Sequence, residues 1–204
     1  MKNFTEDFIY LKQIAPTILQ DIKYATCDNF TGKIVDGYIN QVGIIREEVA
    51  IQLKKIQNQL KKYNISLKVF DLYRPKRACM FFKEWAESED IPKQKKKYYP
   101  FINKNKLFGN YIKALSVHSL GYAIDITLVD KESNLELDMG TIFDYFGEKS
   151  HVNSINISPK AQQNRKLLQN IMTDNGFNTI PFEWWHFNYA STNSSKVYHN
   201  FPVS

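Results

Sequence analysis

The stretch Ser116-Val117-His118-Ser119-Leu120-Gly121-Tyr122-Ala123-Ile124-Asp125 constrains this chain more than any other, because it brings an imidazole and a carboxylate into one short segment. On a single regular strand His118 and Asp125 would face opposite ways, so a turn must separate them. Gly121 is the natural place for that turn. Beyond it, Tyr122, Ile124, Ile126 and Leu128 alternate with Ala123, Asp125 and Thr127, the period of a strand with one apolar and one polar face. Asp125 is therefore expected to look away from the core, beside a small residue and a hydroxyl. A ligand would fit there, but a carboxylate is equally ordinary on an exposed strand, and the pair alone does not decide between the two.

The 204 residues are enough for a real core and a cleft without disulfides, and one domain spanning 1–204 is expected. Hydrophobic residues at 43% and charged ones at 24% exclude a disordered or fibrous chain. Cys27 and Cys79 sit beside apolar or aromatic neighbours in no metal-binding spacing, and read as buried free thiols. The N-terminus carries Glu6 and Asp7 where a secretory signal would be apolar, and no run approaches membrane-spanning length. A cytoplasmic protein with no membrane partner is the expectation. The net charge of +6 owes much to the lysines between Lys93 and Lys106, interleaved with Tyr98, Tyr99 and Phe101. Such a pattern can bind nucleic acid, but no accompanying signature does, so a solvated loop and no nucleic-acid partner are expected.

Along the chain, Phe8–Leu11 and Ile18–Tyr24 read as short strands, and 25–33 as a polar loop. From Gln41 to about Tyr63, Ile45, Val49, Leu53, Ile56 and Leu60 recur at helical spacing. Ile65 to Tyr73 then alternates as a strand, and Arg74-Pro75 turns it into a helix reaching about Glu87. Arg74 thus stands at a strand end, where it is either aimed into a cleft or an ordinary surface arginine. A hairpin at 130–134 with a return strand Leu135–Leu137 follows the opening motif. Asp144, among Phe143, Tyr145 and Phe146, must reach solvent or meet a cation. Ser158-Pro159 opens a further helix that Asn175-Gly176 stops. The architecture expected is α+β: a central, mostly antiparallel sheet carrying the site on its polar side, with about three helices covering the other.

His118, Asp125 and His186 supply two imidazoles and a carboxylate, the ligand number of a catalytic zinc that keeps a fourth position for water. Glu183, three residues before His186, would be the unligated base. On a regular strand those two would face opposite ways, so the strand must start after Glu183 or contain a bulge. Trp184 and Trp185 either wall such a site or are simply core.

Ser-x-His-x-x-Gly-x-Ala-x-Asp at Ser116 to Asp125, with Glu-Trp-Trp-His at Glu183 to His186, resembles the signature of the D-alanyl-D-alanine dipeptidases of the VanX type, a zinc metallopeptidase family. Lys23-Tyr24-Ala25-Thr26, Asp28 to Lys33, Tyr73-Arg74-Pro75-Lys76-Arg77-Ala78, Met139-Gly140 and Phe143-Asp144 are similar to further blocks of that family in the same order. The resemblance runs from about Tyr24 to the C-terminus.

It implies one zinc per chain on His118, Asp125 and His186, with Glu183 as general base and acid and Arg74 stabilising the oxyanion. It also implies that Asp144 and Tyr24 receive the ammonium of a small D-Ala-D-Ala dipeptide and that Ser116 forms part of the substrate wall. The setting would be cell-wall precursor turnover or glycopeptide resistance. Cys27 and Val117 depart from the family pattern and bear on substrate preference. His151 is a candidate support behind the site, and His199 reads as a surface residue. The nearest rival is a zinc D,D-carboxypeptidase or peptidoglycan endopeptidase. A non-catalytic zinc module is disfavoured by the presence of both Glu183 and Arg74. Nothing in the chain sets an oligomeric state.

Overall fold

The computed structural model describes residues 7–191 and 196–204; the reading of the N-terminus falls mostly on residues 1–6, outside that range. The elements run β1 (Phe8–Tyr10), α1 (Leu11–Ile14), β2 (Leu19–Gln20), β3 (Ile44–Arg46), α2 (Glu47–Leu60), β4 (Ile65–Asp71), α3 (Lys76–Glu87), α4 (Pro92–Tyr98), β5 (Ala123–Asp130), α5 (Pro159–Thr173), β6 (Phe177–Ile180) and β7 (Glu183–Tyr189). Five strands form the main sheet in the order β2-β4-β5-β7-β6, parallel only at the β2–β4 edge, and β1 pairs with β3 apart from it. The fold is α+β with a mixed, mostly antiparallel sheet, as the alternation of apolar residues predicts. Among the described residues no helix is long and apolar enough to cross a membrane.

Local propensity yields to tertiary pairing in several places. The helix expected from Gln41 begins at Glu47, because Ile44–Arg46 pairs with β1 instead; Glu47 and Glu48 then favour the positive end of α2. Of the strand expected at Ile18–Tyr24 only Leu19–Gln20 forms, and Lys23–Ala25 closes into a 3₁₀ turn. Leu135–Leu137 makes a single bridge, Val129 to Glu136, rather than a strand. The lysine-rich stretch is not a solvated loop throughout. Pro92 opens α4, and Lys104 is buried with its Nζ over the Trp85 ring, donating to the Ser88 and Glu89 carbonyls and to Ser88 Oγ. Cys79 is buried as expected, but Cys27 is exposed. Among the described residues the helices number five rather than about three, and α3 brings Phe82 to the cleft.

The largest correction concerns β5. Its seven residues from Ala123 to Val129 are all buried, so its polar face is covered rather than solvated, and Asp125 points into the protein at 2% exposure. Three register features then bring the chemistry together. Asp125 lies directly opposite His186 on β7. A bulge between Val69 and Asp71 sets Asp71 opposite Asp125 on the other side. Between Thr179 and Ile180 the β6–β7 pairing jumps from Phe187 to Glu183, so Glu183 belongs to the strand and an irregularity lets it share His186's side. The bulge of the two alternatives is therefore the one realised.

Ser116 caps the 3₁₀ turn Val117–Leu120 by accepting from the His118 N–H, and Gly121 closes it at φ 81°. A Cβ on Gly121 would lie 2.5 Å from the buried Phe8 ring and 3.0 Å from Arg46 Cγ. Gly121→Ala is therefore expected to destabilise the fold by about 2–5 kcal/mol, combining left-handed strain with overpacking. Urea denaturation measures this; a change within experimental error would show that the turn relaxes freely.

Candidate metal centre

His118, fixed by its capped turn, sends Nδ1 to the Leu72 carbonyl at 2.6 Å. A carbonyl only accepts, so Nδ1 carries the proton and Nε2 presents a lone pair. His186 has the opposite tautomer. Its Nε2 donates to Asn188 Oδ1 at 3.0 Å, leaving Nδ1 as the lone-pair atom. These two nitrogens stand 3.2 Å apart and lie 3.4 and 3.1 Å from Asp125 Oδ1. Three electron-rich atoms thus form a nearly equilateral triangle.

A tetrahedral ion with ligands at about 2.0–2.1 Å would separate its donors by about 3.3 Å, the spacing found here. The donor set therefore fits a small divalent cation in both distance and chemistry. Among the described residues this is the one group of three or more His, Cys, Asp or Glu side chains placed to hold a metal ion. Burial by itself would raise the Asp125 pKa, but the two imidazoles hold it well below the usual carboxylate range. His186 moves the other way: burial opposes protonation, yet Asp125 and Glu183 raise its pKa.

The eight side chains expected to hold metal, catalyse or bind substrate all line one cleft of about 340 Å³: Tyr24, Arg74, Ser116, His118, Asp125, Asp144, Glu183 and His186. A larger cavity of about 690 Å³, bordered by Tyr10, Pro16, Ile18 and Val42, holds none of them, so chemistry rather than size selects the site. Glu183 Oε2 lies 3.9 Å from His186 Nδ1, and burial first, then Asp125, pushes its pKa up to about 7. Arg74 points inward rather than to the surface, donating to Asp71 Oδ2 at 2.8 Å and Asp125 Oδ2 at 3.2 Å. Asp144 does not reach solvent, and among the described residues it makes no direct ion pair, although the Arg74 charge is near enough to oppose the rise of its pKa. It is 4% exposed and accepts from the Tyr24 hydroxyl at 3.0 and 3.2 Å. Trp185 packs on Phe143, and Trp184 donates its indole N–H to Thr141. Phe182, Leu115 and Val117 form an exposed apolar rim to the cleft.

His151 stands outside the cleft, its ring against Phe182 and its Nε2 3.5 Å from the hydroxyl of Tyr111, two residues that do line the cleft. His199 is not a surface residue but half-buried, stacked edge-on to Phe8 and 3.4 Å from Arg46. Asp71, Tyr38 and Asn188 were not singled out in the sequence. Asn188 had a signal, since it shares the face of His186 two residues on. Asp71 had none, because only the bulge puts it on the cleft side.

The family model Peptidase_M15, D-ala-D-ala dipeptidase, matches residues 4–204. A D-alanyl-D-alanine dipeptidase of Enterococcus faecalis is 38% identical over 97% of this chain and 98% of its own length. One from Enterococcus faecium is 37% identical over 96% and 98%, and one from Streptomyces coelicolor is 31% identical over 98% and 100%.

Asp144 gives a stability test that does not depend on turnover. Burial first, then Asp125, raises its pKa well above the usual range. The native state keeps its proton where the unfolded chain has lost it, so Asp144 weakens the fold increasingly as pH rises above about 4. Asp144→Asn, which also tolerates the residue's φ of 60°, is expected to raise Tm at neutral pH by about 2–4 °C per kcal/mol recovered. The gain should shrink toward pH ~4. Thermal melts across that range check it; an unchanged or lower Tm at neutral pH contradicts it.

Proposed function

The chain belongs to the D-alanyl-D-alanine dipeptidase family, and from that premise we propose that its cleft hydrolyses the free D-Ala-D-Ala dipeptide using one zinc ion held by His118, Asp125 and His186. The observation that carries this reading is the triangle of His118 Nε2, His186 Nδ1 and Asp125 Oδ1, in which the Leu72 carbonyl and Asn188 Oδ1 take the other ring nitrogens and so turn an imidazole lone pair inward when both rings are neutral. Zinc bound there would polarise the scissile carbonyl and bring the pKa of a water near neutrality.

The chain's own residues do the rest. Glu183 faces the same space and is desolvated enough to hold or release a proton near neutral pH, so it takes a proton from the attacking water and returns it to the leaving amine. Arg74 donates to the carbonyl oxygen as it becomes negative. Asp144, with Tyr24 beside it, receives the substrate's ammonium, whose arrival stabilises the carboxylate that burial disfavours. Ser116 lines the wall, and the apolar rim shields the reacting groups from water. A cleft of about 340 Å³ suits a dipeptide rather than a long chain. Turnover of that dipeptide in the cytoplasm would withdraw it from cell-wall synthesis.

Glu183→Gln is expected to keep one zinc per chain while lowering kcat about 10²- to 10⁴-fold. Metal analysis alongside D-Ala-D-Ala turnover tests this; a wild type that binds zinc and cleaves nothing would favour a non-catalytic module. Asp144→Ala separates the dipeptidase from a D,D-carboxypeptidase or endopeptidase. Loss of a buried charge partner is expected to lower kcat/KM for the free dipeptide by about 100-fold or more, and N-acetyl-D-Ala-D-Ala should be a poor substrate for the wild type. Retained activity in the variant, with good turnover of the acetylated compound, would favour the longer-substrate enzyme.

A further inference from the structure

Asp71 is wholly buried at the end of β4, beside the cleft, and has no part in the chemistry above. The β4 bulge sets it directly opposite Asp125. Like charges across a strand pair repel, so the arrangement needs a cation between them. Arg74 is that cation: its Nε donates to Asp71 Oδ2 at 2.8 Å and its Nη2 to Asp125 Oδ2 at 3.2 Å. Asp71 is itself held, since the buried Tyr38 hydroxyl donates to its other oxygen at 2.7 Å. The guanidinium also lies against two rings, its Cζ 5.0 Å from the Tyr24 centroid and 5.4 Å from that of Phe82.

Nε carries a single hydrogen, and Asp71 takes it. The remaining donors of the fork, on Nη1 and Nη2, are then directed by that anchor. Without it, a long and flexible side chain would swing onto Asp125, competing for the carboxylate whose other oxygen completes the donor triangle.

We propose that Asp71, locked by Tyr38, is a positioning residue for Arg74: it sets the plane of the guanidinium so that the free edge faces the scissile carbonyl and Asp125 remains available to the metal. The inference rests on the reading that Arg74 stabilises the oxyanion. A rival route exists, because Asp71 Oδ2 is also 3.7 Å from His118 Nδ1 and could act through that imidazole instead.

A double-mutant cycle on the zinc-loaded enzyme separates the routes: wild type, Asp71→Asn, Arg74→Gln and the double variant, each assayed for D-Ala-D-Ala turnover and zinc content. Asp71→Asn is expected to lower kcat about 10- to 100-fold, as misplacement of a catalytic donor does, with KM and zinc content little changed. In the Arg74→Gln background the same substitution should cost no more than about twofold. Equal losses in both backgrounds, a loss explained by missing zinc, or no loss in Asp71→Asn overturns the proposal. Wild-type turnover by Arg74→Gln would instead remove the oxyanion reading of Arg74, and the proposal with it. That result is distinct from an inert Asp71→Asn beside an impaired Arg74→Gln. If Asp71→Asn does not fold, Tyr38→Phe takes its place. A smaller loss of kcat that vanishes in the Arg74→Gln background supports the proposal, and no loss, or one that persists there, overturns it.

Discussion

Three electron-rich atoms, His118 Nε2, His186 Nδ1 and Asp125 Oδ1, face one another at 3.1–3.4 Å with no hydrogen to place between them when both imidazoles are neutral. The arrangement is repulsive unless a positive charge sits at its centre. Much of the surrounding structure enforces it. The Leu72 carbonyl and the Asn188 amide oxygen take the only imidazole protons and so dictate which nitrogen looks inward. The direct pairing of Asp125 with His186 across β5 and β7 sets one edge of the triangle, and the capped turn ending at Gly121 delivers the third atom.

The same logic extends to the whole cleft. Asp71, Asp125, Asp144 and Glu183 are buried or nearly so around a single guanidinium, Arg74. That is a deficit of positive charge in a region of low dielectric, and the upward shifts of Asp71, Asp144 and Glu183, each led by burial, are its signature. A divalent ion at the triangle and an ammonium at Asp144 are the two charges that would relieve it. On the proposed function, the cleft is thus destabilised on its own and would be relieved by metal plus substrate.

The parts of this arrangement legible in the sequence were those written as residue types in order. The alternation after Gly121 identified β5, the helical spacing of Val49, Leu53, Ile56 and Leu60 identified most of α2, and the dispersed motifs named eight of the side chains that line the cleft. Long-range pairing was not legible. The stretch before Glu47 became a strand because β1 offered it partners, and β5 was buried on both faces because other elements cover its polar side. The bulge that turns Asp71 toward Asp125 leaves no local mark, and Tyr38, 33 residues away from its partner, leaves none either. The irregularity near Glu183 is the instructive exception, because the requirement that Glu183 and His186 share a side implied a break in the strand before its form was seen.

X-ray absorption at the zinc edge of the loaded protein reads the donor triangle itself. About four light N/O neighbours at about 2.0–2.1 Å are expected, with the outer scattering of two imidazole rings. Sulfur neighbours at about 2.3 Å, or a spectrum lacking imidazole scattering, would contradict it.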